Sequence, residues 1–509
     1  MPVLILLSDL HLRARARSSS LHHARRLVYV LALAFGLPSL SPASQAQEPP
    51  RGTISLAPAR TAPAWMDQAV IYEIFPRDFS SDGTLNAVTA KLTTLHTLGV
   101  NVLWIMPVHP IGVLRRLGPL GSPYAARDFY AIDPALGTKA DFKHLVEAAH
   151  ALSMRVILDI AADHTAWDSV MMAHPEFYTH DAAGRIISPH GWSDVAGLNY
   201  DNPALRQYMI QMFTYWLKTF NLDGFRCDAA GFVPTSFWEQ LRPVLQAVRP
   251  DVLLLAEASK PELMTKAFDL DYAWPLLATF NEVIEHGKSA TAIEATWNEQ
   301  MARFPRGAAH MLISDDHDEQ RATVRYGTGG AIAASALAFT LPGVPMLYNG
   351  MEVGDATPSG APALFDKFHL YWGSEEQRPQ VAAFYRALIP LRASSTALRH
   401  GDLIWLHNSD EQHVISFTRS SPEETDLVTV NLSNTPFRGS IEVATHGNQA
   451  WREVSFAPAA GSRRRSATTV TDSPVMALPV LSLDAFQVRI FRRSGSRPAA
   501  AACAHETPR

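Results

Sequence analysis

Three short segments of this chain each place a carboxylate directly after an apolar, strand-like run: GFRCD (Gly224 to Asp228), LLAE (Leu254 to Glu257) and ISDDHD (Ile313 to Asp318). A carboxylate at the end of a buried strand is costly to desolvate, so it has to be retained by something specific. Three of them in sequence order, each with a charged or imidazole neighbour, point to an active site at one rim of a parallel barrel. Alternate strand residues face the same side, so Arg226 can pair with Asp228 and hold it ionised. The run LLLA before Glu257 supplies apolar surroundings that raise a carboxyl pKa. Two carboxyls kept in opposite protonation states are the equipment of acid–base and nucleophilic chemistry.

Such residues need strands of fixed direction to carry them. Apolar strand-like runs alternate with helical patterns across residues 65–395, which argues for βα units and a parallel sheet. The candidate strands are 70–74, 102–106, 156–160, 224–228, 252–256, 269–272, 310–314 and 345–348. Eight is the number that closes a (β/α)8 TIM barrel. Between them, Leu85, Val88, Leu92, Leu95 and Leu98 fall on one helical face that Gly99 terminates. Thr138 and Asp141 read as a capping box, and Asn202-Pro203 as a helix start. Residues 165–200, after the third strand, are longer than an ordinary connection and are expected to form a short inserted loop domain above the rim. Residues 396–494 change to short alternating strands such as VISFTR and LVTVNLS, expected as a C-terminal all-β sandwich.

The set Arg226-x-Asp228, Glu257 and His317-Asp318, with the earlier LDIAADH (Leu158 to His164), resembles the catalytic pattern of glycoside hydrolase family 13, the α-amylase family. The resemblance covers roughly residues 65–391. It implies a retaining α-glycosidase acting on α-glucosidic bonds in maltodextrins or related glucans through a covalent glycosyl-enzyme intermediate. It casts Asp228 as nucleophile, Glu257 as general acid/base and Asp318 as the third carboxylate, which steadies the transition state through sugar hydroxyls. It casts His164 and His317 as sugar hydrogen-bonding residues, with Arg226 beside the nucleophile and Asp159 as a supporting partner of the arginine. GSPYAARDFY (Gly121 to Tyr130) is similar to the segment bearing a sugar-stacking aromatic, a role that falls to Tyr124. Trp104 and Met106 read as core. Two positions where the family usually has Asn are Asp163 and Asp316 here, and Gly231-Phe232 stands where amylases often carry Lys-His.

That last departure removes one expected backbone ligand for calcium. Asp163 is then a single candidate among the six to eight oxygens calcium prefers, so no metal and no organic cofactor is expected to be required. Two rivals remain: a transglycosylase or isomerase on the same scaffold, and a non-catalytic carbohydrate-binding or transport-associated relative. The latter is disfavoured because all three carboxylates are kept. A net charge of −5 across 509 residues gives no reason to expect nucleic acid or an acidic membrane as partner, and suits a neutral oligo- or polysaccharide. Residues 1–46 join a basic stretch (Arg13 to Arg26), the apolar run Leu27 to Leu37 and a small-residue site at Ser44-Gln45-Ala46, the layout of a signal peptide. Export, periplasmic or secreted, is the expectation, with no membrane span in the mature form. Residues 47–64 read as a Pro- and Ala-rich linker and 495–509 as a disordered tail. With only two cysteines, Cys227 and Cys503, export implies no disulfide framework.

Overall fold

The computed structural model describes residues 54–443, 451–454, 473–474 and 480–494. The expected signal peptide (1–46) and tail (495–509) lie outside the described residues.

Eight parallel strands close a barrel: β1 (Ile71–Ile74), β2 (Val102–Ile105), β3 (Arg155–Ala161), β4 (Gly224–Asp228), β5 (Leu253–Ala256), β6 (Leu270–Tyr272), β7 (His310–Leu312) and β8 (Val344–Tyr348). Each pairs with its sequence neighbours and β8 returns to β1. All eight strands of the sequence reading are present within a residue or two of their expected ends, including β6. Nearly every strand residue is buried, as a sheet covered on both faces requires.

The helices around the barrel form for local reasons. In α1 (Leu85–Leu98), Thr84 accepts from the Ala87 amide, and Leu85, Val88, Leu92 and Leu95 are buried. Gly99 ends it at φ 103°, a left-handed conformation that costs a glycine little. The capping box of α2 (Lys139–Ala151) forms as read, with Thr138 and Asp141 bonding each other's amides. The Asn202 side chain caps α3 (Pro203–Phe220) by accepting from Ala204 and Leu205. Residues 54–64 are not a free linker. Ala59 N–H donates to Arg306 O at 2.9 Å, Arg60 N–H donates to Met264 O at 2.9 Å, and the Arg60 guanidinium pairs with buried Asp269 at 2.8 Å. The described half of the expected linker is a strap across the barrel.

Residues 165–200 contain two short 3-10 turns and a two-stranded antiparallel pair, His164–Ala166 with Val195–Gly197. The pairing returns the excursion to the rim close to where it left. Towards the C-terminus an antiparallel sheet runs in the order Asp402–Trp405, Val414–Ser420, Glu424–Asn431, Val488–Ser494, Arg452–Val454 and Ser473–Pro474. A second pair, Phe437–Gly439 with Leu481–Leu483, faces it. Val414, Leu427 and Phe491 pack against Phe437, Leu481 and Leu483 between the two sheets. The alternate residues Phe417, Val428, Val430 and Ile490 point the other way and join the barrel's core. Among the described residues, no helix is long and apolar enough to cross a membrane.

Candidate active site

Arg226 is the centre of the site. It sits mid-strand in β4 with no exposed surface, so its charge must be met in full by the protein. Register supplies the partners: Asp159 of β3 lies directly opposite Arg226, and Ala161 opposite Asp228. Arg226 Nη1 donates to Asp159 Oδ1 and to Asp228 Oδ1, each at 2.9 Å, while Nη2 lies 3.0 Å from Glu257 Oε2. Its Nε donates to the Tyr272 hydroxyl at 3.2 Å, and its plane lies over the rings of Trp104, Tyr124 and Tyr272. One buried cation thus touches three carboxylates from three neighbouring strands or strand ends.

The carboxylates differ in environment. Glu257 begins the turn after β5; its amide donates to Cys227 O at 3.0 Å and its Oε2 accepts from the Ala229 amide at 2.7 Å. Burial, reinforced by the negative charges of Asp228 and Asp318 against the pull of Arg226, pushes its carboxyl up to about 8. Asp228 is also raised by burial, to about 6, with Arg226 and then His164 working the other way. Asp318 is the most open of the three, its side chain 42% exposed. It lines a cleft of about 600 Å³ with Gly118, Thr357, Ser359 and Phe368.

His317 links Asp318 to the barrel floor. Its Nδ1 lies 2.5 Å from Glu73 Oε1 on β1, and its Nε2 lies 2.8 Å from the Tyr124 hydroxyl and 3.3 Å from Asp318 Oδ2. Burial opposes the charged imidazole, but Asp318 and Glu73 outweigh it and raise His317 to about 10. Tyr124 is buried; its hydroxyl donates to Asp159 at 3.1 Å and its ring stacks on His317 at 5.4 Å. Its hydroxyl is therefore committed to the network and one contact of its ring to His317, rather than to open solvent. His164 Nδ1 lies 2.6 Å from Asp163 Oδ1, and His190 of the inserted segment approaches Asp163 Oδ2 at 3.5 Å. Burial opposes charge on His164, yet Asp163 raises it to about 9.

All eight residues singled out from the sequence, Asp228, Glu257, Asp318, Tyr124, His164, Arg226, His317 and Asp159, gather at the C-terminal rim of the barrel or on the strands just beneath it. Trp104 is core by burial, but its Nε1 donates to Asp159 Oδ2 at 3.1 Å, so it also holds the site. Glu73 was missed, although its strand IYEI carries the same signal of a carboxylate in an apolar run. Trp192 and His190, also missed, reach the rim from a loop that carries no periodic signal and meet Phe232, the residue noted from the sequence beside Gly231. Asp316 accepts from the amides of Asp318 and Glu319 at 3.1 Å each, a turn-capping task in which Asp serves as well as Asn.

Asp163, His164 and Asp228 place donor atoms within 4.8 Å of one another. The set does not suit calcium: both oxygens of Asp163 already face imidazoles, Asp228 is held by Arg226, and one of the three groups is a nitrogen donor.

The sequence profile of the alpha amylase catalytic domain matches residues 65–182 and 189–380. The chain is 28% identical over 405 residues to the alpha-amylase MalA of Haloarcula japonica, covering 76% of this chain but 58% of that protein's own length. It is 26% identical over 423 residues to the intracellular maltogenic amylase of Bacillus subtilis, covering 73% and 70%. A crystal structure of the maltogenic alpha-amylase AmyB from Thermotoga neapolitana superposes with a TM-score of 0.74 at 29% identity, covering 84% of this chain and 99% of that one. An alpha-amylase from Lactobacillus plantarum gives a TM-score of 0.71 at 29% identity over the same shares. With that profile spanning the whole barrel and its eight strand ends, the chain belongs to the alpha-amylase catalytic-domain family, glycoside hydrolase family 13.

Proposed function

We propose that this chain is a retaining α-glycosidase that hydrolyses α-glucosidic bonds in maltodextrins or related glucans. The observation that carries the reading is the split within one buried cluster. Arg226 touches both Asp228 and Glu257, yet the surroundings hold Glu257 protonated near neutrality and leave Asp228 ionised. In the first step Asp228 attacks the anomeric carbon while Glu257 gives its proton to the departing oxygen. In the second, water attacks that carbon after Glu257 takes its proton, and Asp228 leaves as a carboxylate. Asp318, the most open of the three carboxylates and joined to His317 at 3.3 Å, is read as the partner of sugar hydroxyls, and His164 offers an imidazole beside Asp228.

The names of the relatives, amylases and maltogenic amylases, support glucan as the substrate class. The test is a 2-fluoro-glycosyl fluoride, which should trap an adduct on Asp228. Label on another residue, or inversion at the anomeric carbon, would sink the assignment. Asp228→Asn and Glu257→Gln should each lower kcat by several orders of magnitude without loss of fold.

Two further parts of the reading concern what the enzyme needs and where it works. No metal or organic cofactor is required, because the carboxylates carry the chemistry and the Asp163 cluster offers too few free oxygens. The protein is exported, on the strength of the basic, apolar and small-residue order of residues 1–46.

A further inference from the structure

Asp228 and Glu257 are both gripped by Arg226, and Asp318 is not. Among the described residues its carboxylate pairs only with His317, at 3.3 Å. Where it stands is therefore set by its backbone. The Asp318 amide donates to Asp316 Oδ1 at 3.1 Å, which shapes the turn after β7. The same turn meets the chain that follows β8. Gly360 N–H donates to His317 O at 3.0 Å, and the Ser359 hydroxyl donates to Glu319 O at 2.6 Å. Gly360 has φ +72°, and a Cβ there would lie 2.7 Å from the Asp318 carbonyl oxygen. No side chain fits that space, so the two backbones are in direct contact at the third carboxylate.

A buried arginine fastens the two segments together. Arg321 lies three residues beyond Asp318 and is 4% exposed. Its Nη2 donates to Asn349 O at 2.7 Å and lies 3.5 Å from Asp355 Oδ2, and its guanidinium carbon sits 4.1 Å from the centre of the Tyr348 ring. Asp355, also buried, carries the tie onward. Its Oδ1 accepts from the Thr357 hydroxyl at 2.9 Å and from the Tyr371 amide at 3.2 Å, on either side of Gly360 in the chain. Its carbonyl accepts from the Thr323 hydroxyl at 2.6 Å, which returns the tie to the segment after β7. A buried full charge is costly to keep, and this one is met by the groups that join the two segments.

We propose that Arg321 is a positioning residue for Asp318: with Asp355 it seats the segment after β8 on the backbone of His317 to Glu319, and so holds the third carboxylate in place. The inference rests on the glycosidase reading above and names what keeps one of its three carboxylates in register with the other two. Asp228 and Glu257 are ordered by a shared cation; Asp318 is ordered by the seam between two loops. The seam matters because a displacement of about 1 Å in a catalytic group can cost about a hundredfold in rate.

The test is a double-mutant cycle on α-maltosyl fluoride, whose reactive leaving group keeps a crippled variant measurable. Gly360→Ala forces the seam apart, and Arg321→Lys cannot serve Asn349 O, Asp355 and the face of Tyr348 together. Each is made in the wild-type chain and in Asp318→Asn. In the wild-type chain each should lower kcat/KM about tenfold, and in the Asp318→Asn background the same substitution should change it by less than about twofold, because the group it displaces is already disabled. Equal losses in both backgrounds would mark a general structural effect and overturn the positioning role, as would wild-type kcat/KM in either single variant. Arg321→Lys keeps the buried charge, so it decides the matter if Gly360→Ala fails to fold. Wild-type protein that leaves the fluoride intact would instead overturn the glycosidase reading beneath it.

Discussion

Glu257 and Asp228 stand in one low-dielectric cluster, and the order of their protonation sets the pH range of the enzyme. On the proposed mechanism, activity needs Glu257 as the acid and Asp228 as the anion. As pH falls through about 6, Asp228 takes up a proton and can no longer attack. As pH rises through about 8, Glu257 loses the proton it must donate. The dependence of kcat/KM on pH should therefore be a bell with limbs near these values, read as macroscopic constants of the interacting pair. His164 and His317, raised to about 9 and 10, stay charged across that range and should add no limb within it. A profile still rising at pH 9 would show that Glu257 is not the acid. The placement of Asp228, Glu257 and Arg226 in one site was legible because a charge inside an apolar run has few structural excuses, while the role of each came only with the family resemblance. Glu73 carried the same signal, but no adjacent motif marked it. Trp192 was illegible at the rim, since an aromatic in a loop looks alike whether it packs inward or stays open.

At the scale of elements, the barrel strands announced themselves as short apolar runs bounded by turn residues, and even the three-residue β6 was recoverable. The strap 54–64 was not, because Pro- and Ala-rich sequence says nothing of the carbonyls of Met264 and Arg306 that it bonds. The inserted segment 165–200 was visible as excess length, but how it is fastened was not. The structure fastens it through strand pairing from His164 to Gly197, the Leu198 amide on Asp163 O at 2.9 Å, and the approach of His190 to Asp163. These ties use donors and acceptors of the chain itself. Dialysis against a chelator should therefore leave both activity and the melting temperature unchanged within a degree or two. A fall of many degrees, restored by calcium and not by magnesium, would show that a bound ion holds the segment. His190→Ala supplies the complementary measurement: it removes the imidazole between Asp163 and Phe232, and should raise protease sensitivity within residues 165–200.

The whole molecule is held together by a sheet with two apolar faces. Phe417, Val428 and Ile490 extend the barrel's core, while Val414, Leu427 and Phe491 close a core of their own. Arg419 donates to Thr340 O and Arg392 to Phe339 O, both at the C-terminal end of the helix Gly327–Thr340, where positive charge is favoured. At the other end of the chain the first described ties are Ala57, whose carbonyl accepts from the Arg306 amide at 2.9 Å, and then Pro58, Ala59 and Arg60. All of these contacts lie beyond residue 46, so the cleavage expected there would leave every one of them intact. Expression in a bacterial host with an intact secretion system should then give a protein whose N-terminus lies near Gln47. Edman sequencing or intact mass of the exported fraction checks it directly. Full-length protein kept in the cytosol, with Leu27 to Leu37 still attached and the enzyme active there, would count against export. It would place this chain with relatives such as the Bacillus subtilis enzyme, whose name describes it as intracellular.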